Sequence, residues 1–438
     1  MEILIRTVQF IIALSILIGI HEFGHFIVAR LFKIRVDKFY IFFDPWFSIA
    51  KWKWGETEYG IGWLPLGGYC KISGMIDESM DKEQLAQEPK PYEFRSKPAW
   101  QRLCVSAAGV VMNILLAVAI YSTVSYIYGE QYIANEDVEW GSNFNQAGEE
   151  LGFVDGDKIL TIDGESIERY ADILPLLIIT DRDREVVVER DGEAQTINIA
   201  MDRLIELRAD KAIYSDLLTP ISPYVIDSVI YESSIELLEK GDQIIAYRGE
   251  KIIDMYALID SIRQDAGGVA PVSILRGGKS INLDIPVHFD GRIGVMTGNS
   301  IPTRVSNYSL LGSIPAGFVR TGKTISSYWS QLAMIVKPET KLYKEVGGFV
   351  AIAGIFSTQW NWLDFWLKVA YFSVMLAVIN ILPIPALDGG HVLFTLWEII
   401  TGRKPSDKFL EITQFIGMIL IIALFVFANG SDMFRLFK

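Results

Sequence analysis

The chain is short of cysteine and of charge, and the charge it has is mainly acidic. Its 438 residues include 2 cysteines, Cys70 and Cys104, too few for the disulfide framework of a small secreted domain. Charged residues make up 21%, against about 25% in soluble domains, and the deficit sits in a few blocks. The balance of 40 Lys plus Arg against 53 Asp plus Glu, a net −13, lacks the basic face that a nucleic-acid binder needs. Collagen-like, coiled-coil and disordered classes are excluded by a composition that is 50% hydrophobic with mean hydropathy +0.28. At roughly 150 residues per domain the length suggests about three units.

Four apolar runs account for the missing charge. Residues 7–32 are interrupted only by His21, Glu22, His25 and Arg30; residues 103–128 carry no charge, and neither do 369–387 and 412–428. All are near the roughly 20 residues that cross a bilayer. The first run leads into His-Glu-Phe-Gly-His rather than a small-residue cleavage site, which favours a retained span over a signal peptide. Positive charge in short loops sets orientation. The loop after the first span carries Lys33, Arg35, Lys38, Lys51, Lys53 and Lys71, then Lys90, Arg95, Lys97 and Arg102, and the loop before the last span carries Arg403, Lys404 and Lys408. Beyond the second span, Glu130, Glu136, Asp137 and Glu139 precede the first lysine, Lys158. Both short loops are therefore expected in the cytoplasm, with 129–364 and both chain ends outside. Residues 129–364 hold 21 Lys plus Arg against 36 Asp plus Glu, leaving 19 against 17 elsewhere, so the acidity belongs to the external part.

That part contains a repeat. GDKILTIDGESI at 156–167 aligns without gaps on GDQIIAYRGEKI at 241–252, and VVVERDGEAQTINI from Val186 matches VSILRGGKSINLDI from Val272. Each copy reads as strand, glycine turn, strand, helix (170–178; 255–264) and a hairpin turned at Asp191-Gly192 or Gly277-Gly278. The pattern resembles two PDZ domains in tandem, which implies a groove that takes a peptide or chain terminus by strand addition. The second copy has Tyr231-Glu232-Ser233-Ser234 where PDZ domains usually have a small-residue Pro-Ala turn. Residues 308–336 suit an amphipathic stretch lying at the membrane surface. Residues 346–360 are apolar, and Trp360, Trp362 and Trp366 fit an interfacial belt.

The chemistry begins at His21-Glu22-Phe23-Gly24-His25. Residues four apart share a helix face, so His21 and His25 can ligate one metal ion while Glu22 takes a proton from bound water. Ionisable groups inside a span cost several kcal/mol, so three of them within five positions point to function. A third ligand is expected from Asp388 or His391, in the run Asn380-Ile381-Leu382-Pro383-Ile384-Pro385-Ala386-Leu387-Asp388-Gly389-Gly390-His391. Depth allows it: at about 1.5 Å per residue His21 lies roughly 21 Å into the first span and Asp388 about 28 Å into the third, both entered from outside.

HEFGH in the first span, NILPIPALDGG in the third and the repeats between them resemble the bacterial site-2 protease family, RseP type, over essentially the whole chain. The resemblance implies a Zn2+ ion on His21, His25 and Asp388, Glu22 as catalytic base, and Asn380 as a holder of substrate backbone. It also implies a membrane-associated β-structure in 39–69 whose Gly-x-Gly edge, best matched by Gly60-Ile61-Gly62, pairs with substrate. The alternating aromatic and polar residues there read as β-hairpins. Gly109 and Asn113 in the second span fit close helix packing with an interhelical hydrogen bond.

The expected fold is thus a membrane protein with four transmembrane helices, a membrane-associated β-hairpin region and two extracytoplasmic PDZ-like domains. Its segments are a first span at 1–32, a cytoplasmic loop at 33–98, a second span at 99–128, PDZ-like domains at 129–220 and 221–305, a surface-lying region at 306–364, a third span at 365–391, a cytoplasmic loop at 392–408, and the last span with the C-terminus at 409–438. The expected function is intramembrane zinc endopeptidase in a bacterial cytoplasmic (inner) membrane. Single-span membrane proteins would be its substrates, namely anti-sigma-factor-like regulators and remnant signal peptides, and peptide termini, the lipid bilayer and no nucleic acid complete the partners. The alternative is a membrane-anchored PDZ scaffold with a structural metal site.

Overall fold

The computed structural model describes residues 2–65, 67–75, 88–208, 213–214, 216–231, 234, 236–252, 255–297 and 301–436. They divide into two units, 1–129 with 307–438, and 130–306.

The first unit holds α1 (Glu2–Leu31), α2 (Ala99–Tyr128), α3 (Leu310–Ile335), α4 (Phe349–Gly354), α5 (Trp362–Asn380), α6 (Asp388–Thr401) and α7 (Asp407–Leu436). Among the described residues, α1, α2, α5 and residues 408–433 of α7 are long and apolar enough to cross a membrane. The centre is α2, on which α1, α3, α5 and α6 all pack. Small residues make this possible, because they let backbones approach closely. Ser106, Ala108, Gly109, Ala117, Ser122 and Ser125 are all buried. A Cβ on Gly24 of α1 would lie 2.5 Å from the Ala108 carbonyl oxygen, and one on Gly317 of α3 would lie 2.1 Å from Ser122 Oγ. On α1 the buried residues Gln9, Ala13, Leu17, His21, Gly24, His25 and Ala29 recur every three or four positions, one stripe facing α2.

Two segments differ from the expectation. The stretch expected to lie on the surface at 308–336 is a single helix, α3, packed along α2 and α5, because Ser313, Gly317 and Thr321 form a small-residue stripe that α2 can meet. The loop expected at 392–408 is helical through Thr401 and stops at Gly402, whose φ of 68° suits a C-terminal glycine. Its residues are apolar save Glu398, which pairs with Arg102 of α2 at 2.5 Å.

Between α1 and α2 lies a sheet of β1 (Val36–Ile41), β2 (Phe43–Trp54), β3 (Thr57–Leu64) and β4 (Tyr69–Ile72), in the order β2-β3-β1-β4 with β1 and β3 parallel. The order corrects the expectation that Gly60 and Gly62 form an edge. β3 is internal: Gly60 faces Lys51 of β2 on one side and Tyr40 of β1 on the other. The glycines make room inside the sheet, since a Cβ on Gly60 would lie 2.2 Å from the Tyr40 ring and one on Gly62 2.1 Å from the Phe43 carbonyl oxygen. The edges are β2 and β4. Residues 76–87 of this loop lie outside the described residues.

The second unit contains β5 (Glu130–Tyr132), β6 (Ser142–Phe144), β7 (Lys158–Ile162), β8 (Glu165–Ser166), β9 (Arg184–Arg190), β10 (Glu193–Ile199) and β11 (Leu218–Pro220). It continues with β12 (Tyr224–Val229), β13 (Gln243–Tyr247), β14 (Glu250–Lys251), β15 (Val269–Arg276), β16 (Lys279–Pro286), β17 (Val295–Thr297) and β18 (Arg304–Ser306). The two sequence copies fold alike: β10-β9-β7-β8 with helix Ile173–Ile178, and β16-β15-β13 with β14 on β13 and helix Met255–Arg263. Each has its own apolar core, around Ile159, Leu177 and Val188 in one and Ile244, Leu258 and Ile274 in the other. β5 pairs with β18, closing the unit where the chain enters and leaves it. Glu232 and Ser233 of the second copy's Tyr-Glu-Ser-Ser turn lie outside the described residues.

One clasp occurs twice. Arg190 donates to both carboxylate oxygens of Asp157 at 2.7 and 2.6 Å and to the Gly152 carbonyl at 3.0 Å. Arg276 does the same to Asp242 at 2.7 and 2.6 Å and to the Leu237 carbonyl at 2.9 Å. Burial pushes the Asp242 carboxyl up, but Arg276 and the Glu239 N–H outweigh it and hold it below the usual carboxylate range. A lowered carboxylate contributes stability above its unfolded pKa, about 3.9, that is lost as pH falls through the folded value. Asp242→Ala leaves Arg276 without its partner and is expected to cost about 1–3 kcal/mol. Limited proteolysis of the full chain should show faster cutting within 221–305 at pH 7, with the difference from wild type shrinking well below pH 4. A difference that stayed constant through that range would assign the effect to something other than the ion pair.

Candidate active site

The first unit brings together residues from α1, α2, α5 and α6. His21 and His25 lie one turn apart on the buried stripe of α1. His25 Nδ1 is 2.9 Å from the Val105 carbonyl of α2. A carbonyl only accepts, so the imidazole proton is on Nδ1 and Nε2 carries a lone pair. That Nε2 faces Asp388 Oδ2 at 3.2 Å, His21 Nε2 lies 3.1 Å from the same oxygen, and the two Nε2 atoms are 3.3 Å apart. A four-coordinate ion with bonds of about 2.0–2.1 Å separates its ligands by roughly 3.3 Å, so the triangle has the dimensions of three ligand positions. Asp388 Oδ2 is buried and has no hydrogen-bond donor, and facing the His25 lone pair it is repelled unless a cation lies between them. The chain's own residues therefore fit a metal ion. Among the described residues this is the group of side chains able to hold one, and His391, the other candidate third ligand, is not in it.

Asp388 reaches this point because the chain before it is irregular. α5 ends at Asn380, and Pro383 and Pro385, which lack an N–H, keep the helix from continuing. Ala386 takes a φ of 67°, sparsely populated by alanine. Glycines fit the turn against its neighbours: a Cβ on Gly389 would lie 2.2 Å from the Leu382 carbonyl oxygen, and one on Gly417 of α7 2.0 Å from that of Pro385. The carboxylate then sits in the first turn of α6, where the helix dipole favours negative charge.

Glu22, beside the ligands on α1, accepts a hydrogen bond from the Cys70 N–H of β4. Gly68, just before that strand, lies against it, with its Cβ position 3.5 Å from Glu22 Cγ. Asn380, in the last turn of α5, has its amide nitrogen 3.4 Å from His21 Nε2. Of the residues singled out in the sequence, His21, Glu22, His25, Asn380 and Asp388 thus converge, whereas Gly60 and Gly62 are interior to the sheet. Sequence reasoning missed two neighbours. Val105 acts through its backbone and leaves no signal in side-chain type. Gly109, read as a helix-packing residue, lies against the rings themselves: a Cβ there would be 2.4 Å from His25 Nε2 and 2.6 Å from His21 Cε1.

A family model described as Peptidase family M50 matches residues 9–424. The chain belongs to this family. Similar relatives extend over the same length: "Regulator of sigma-E protease RseP" of Salmonella typhimurium (strain 14028s / SGSC 2262) is 28% identical, covering 100% of both chains. "Protease RseP" of Yersinia pestis is 29% identical, again over 100% of both. "Putative zinc metalloprotease" of Xylella fastidiosa (strain 9a5c) is 27% identical over 97% of each.

For this M50 peptidase the packing of Gly109 makes a prediction. Gly109→Ala pushes a methyl group into both imidazoles and is expected to weaken metal binding by about 10–100-fold, the range seen when ligand orientation is disturbed. Val111→Ala, at an exposed site on the same helix, should bind as wild type. Metal content after dialysis against a graded chelator series checks both, and a Gly109→Ala protein that retains its metal like wild type would show that the rings have room to move.

Proposed function

We propose that the chain is an intramembrane zinc endopeptidase that hydrolyses peptide bonds within or beside the transmembrane segment of single-span membrane proteins. The observation that carries this reading is the triangle of His21 Nε2, His25 Nε2 and Asp388 Oδ2, 3.1–3.3 Å on a side, with Glu22 adjoining it among apolar helices. Family membership and a relative named as a zinc metalloprotease support zinc as the ion. Bound there, zinc supplies Lewis acidity toward a water and the scissile carbonyl. Glu22 takes the proton of the attacking water and delivers it to the leaving amine, and its bond from the Cys70 N–H holds the carboxylate toward the site. Asn380 holds substrate backbone through its amide. An incoming strand adds to the sheet at β4, the edge next to Glu22, rather than at Gly60 and Gly62. This places the peptide bond beside the ligands in extended form, as proteolysis requires of a segment that starts as a helix.

The basic short loops place the active site near the cytoplasmic side of a bacterial inner membrane and the acidic repeats outside it. In this reading the repeats are two PDZ-like domains that take a peptide or chain terminus and so select substrates. The substrates are anti-sigma-factor-like regulators and remnant signal peptides, a class consistent with relatives named for regulation of sigma-E.

Glu22→Gln keeps the shape of the side chain and removes its basicity. It is expected to hold as much zinc as wild type and to cut tagged single-span membrane proteins about 10²–10⁴-fold more slowly, the contribution typical of general acid–base catalysis. Equal cleavage by the two proteins would overturn the mechanism, and absence of zinc from folded wild type would overturn the site. A scaffold with a structural metal would instead bind partners equally in both forms and cut nothing in either.

A further inference from the structure

Asn113 is fully buried on α2, one turn from Gly109, and its side-chain amide lies 3.2 Å from His21 Nδ1. The two histidines are therefore held differently at the nitrogen that faces away from Asp388. His25 meets a carbonyl, which can only accept, and its tautomer is fixed. His21 meets an amide, which offers a donor at one end and an acceptor at the other. With Nδ2 toward the ring, Asn113 Oδ1 is buried without a partner and His21 must carry its proton on Nε2, aimed at Asp388 Oδ2. No ion binds a nitrogen in that state. Turned about, the amide accepts from Nδ1–H, gives Oδ1 its partner and leaves the Nε2 lone pair facing Asp388 and His25. The two ends have the same shape, so the turn needs no movement of neighbours. The turn of α2 that bears Asn113 is itself anchored, since Ser373 of α5 donates to the Asn113 carbonyl oxygen at 2.7 Å.

We propose that Asn113 is a positioning residue that sets the tautomer of His21, accepting from Nδ1–H through Oδ1 and thereby presenting Nε2 to the metal. The inference rests on the metal site proposed above. The amide and the ion are coupled: an ion at the three ligand atoms requires the acceptor end of Asn113 at the ring, and the acceptor end at the ring prepares the site for the ion. Hydrogen bonds of this kind to ligating imidazoles typically account for about 10–100-fold in metal affinity.

The test compares the full-length wild type with Asn113→Leu, which fills the space without an acceptor, and Asn113→Asp, which can only accept. Zinc affinity is read by chelator competition in detergent micelles. The expected result is binding about 10–100-fold weaker for Asn113→Leu and near wild type for Asn113→Asp. Wild-type binding by Asn113→Leu, or equal weakening by Asn113→Asp, overturns the proposal. If wild type itself binds no zinc, the metal site falls and this inference with it, an outcome distinct from normal wild-type binding with an unaffected Leu variant. A nitrogen-15 spectrum of the histidines in metal-free wild type needs no variant and covers the case in which Asn113→Leu fails to fold. It should show the proton of His21 on Nδ1, and a proton on Nε2 overturns the assignment.

Discussion

Any polar atom placed among the long apolar helices of this chain has to find its partner within the protein, because lipid offers none. That requirement organises the first unit around α2. Its Val105 carbonyl takes the proton of His25, its Asn113 amide meets His21, and its Arg102 meets Glu398 of α6. At the other end of the unit, Gln9 of α1 donates to the Ser357 carbonyl at 2.8 Å. A helix that supplies these partners must lie close to all its neighbours, which explains its run of buried Ser, Ala and Gly. The metal ligands belong to α1 and α6, yet the atoms that hold two of them in place belong to α2.

Irregular backbone meets the same constraint in another way. The stretch from Ile381 to Leu387 loses helical hydrogen bonds at two prolines and bends through a left-handed alanine, costs of order 1–3 kcal/mol each when compensated only by packing. The surroundings hold it on two sides, with Gly389 under the Leu382 carbonyl and Gly417 under that of Pro385. The gain is that a carboxylate begins a new helix level with two histidines on another. A continuous helix through this region would have turned residue 388 on by the regular 100° per residue with no freedom to adjust.

Much of the centre was legible because its signals are local. Two histidines four apart on an apolar helix declare a shared face, and prolines before an Asp-Gly-Gly run declare a break. Choosing Asp388 over His391 was less local and needed resemblance to a family. The sheet was the least legible part. Alternation identified strands, but nothing in the run Gly60-Ile61-Gly62 tells whether it lies at an edge, because that depends on β1 pairing in parallel with a strand some twenty residues later. Glycine is ambiguous in the same way: it permits close approach of a substrate or of the protein's own side chain, and here the Tyr40 ring takes the space. The helical extension of α6 past His391 was hidden by the habit of ending a span where the apolar count reaches bilayer length.

The strand order also gives the sheet two unlike edges. β2 is long and carries Trp46, Phe47, Ile49, Trp52 and Trp54 exposed. Such an edge in water is a template for aggregation, whereas tryptophan is at home at a membrane interface, so this edge suits contact with lipid. β4 is four residues long and already gives one of its N–H groups to Glu22. An edge that short recruits little on its own, and it avoids the hazard of β2 by brevity. What makes it useful is its position, since any backbone that pairs there is aligned along the residue that handles the proton. The same sheet thereby separates anchoring from presentation, with the two internal strands holding the edges apart.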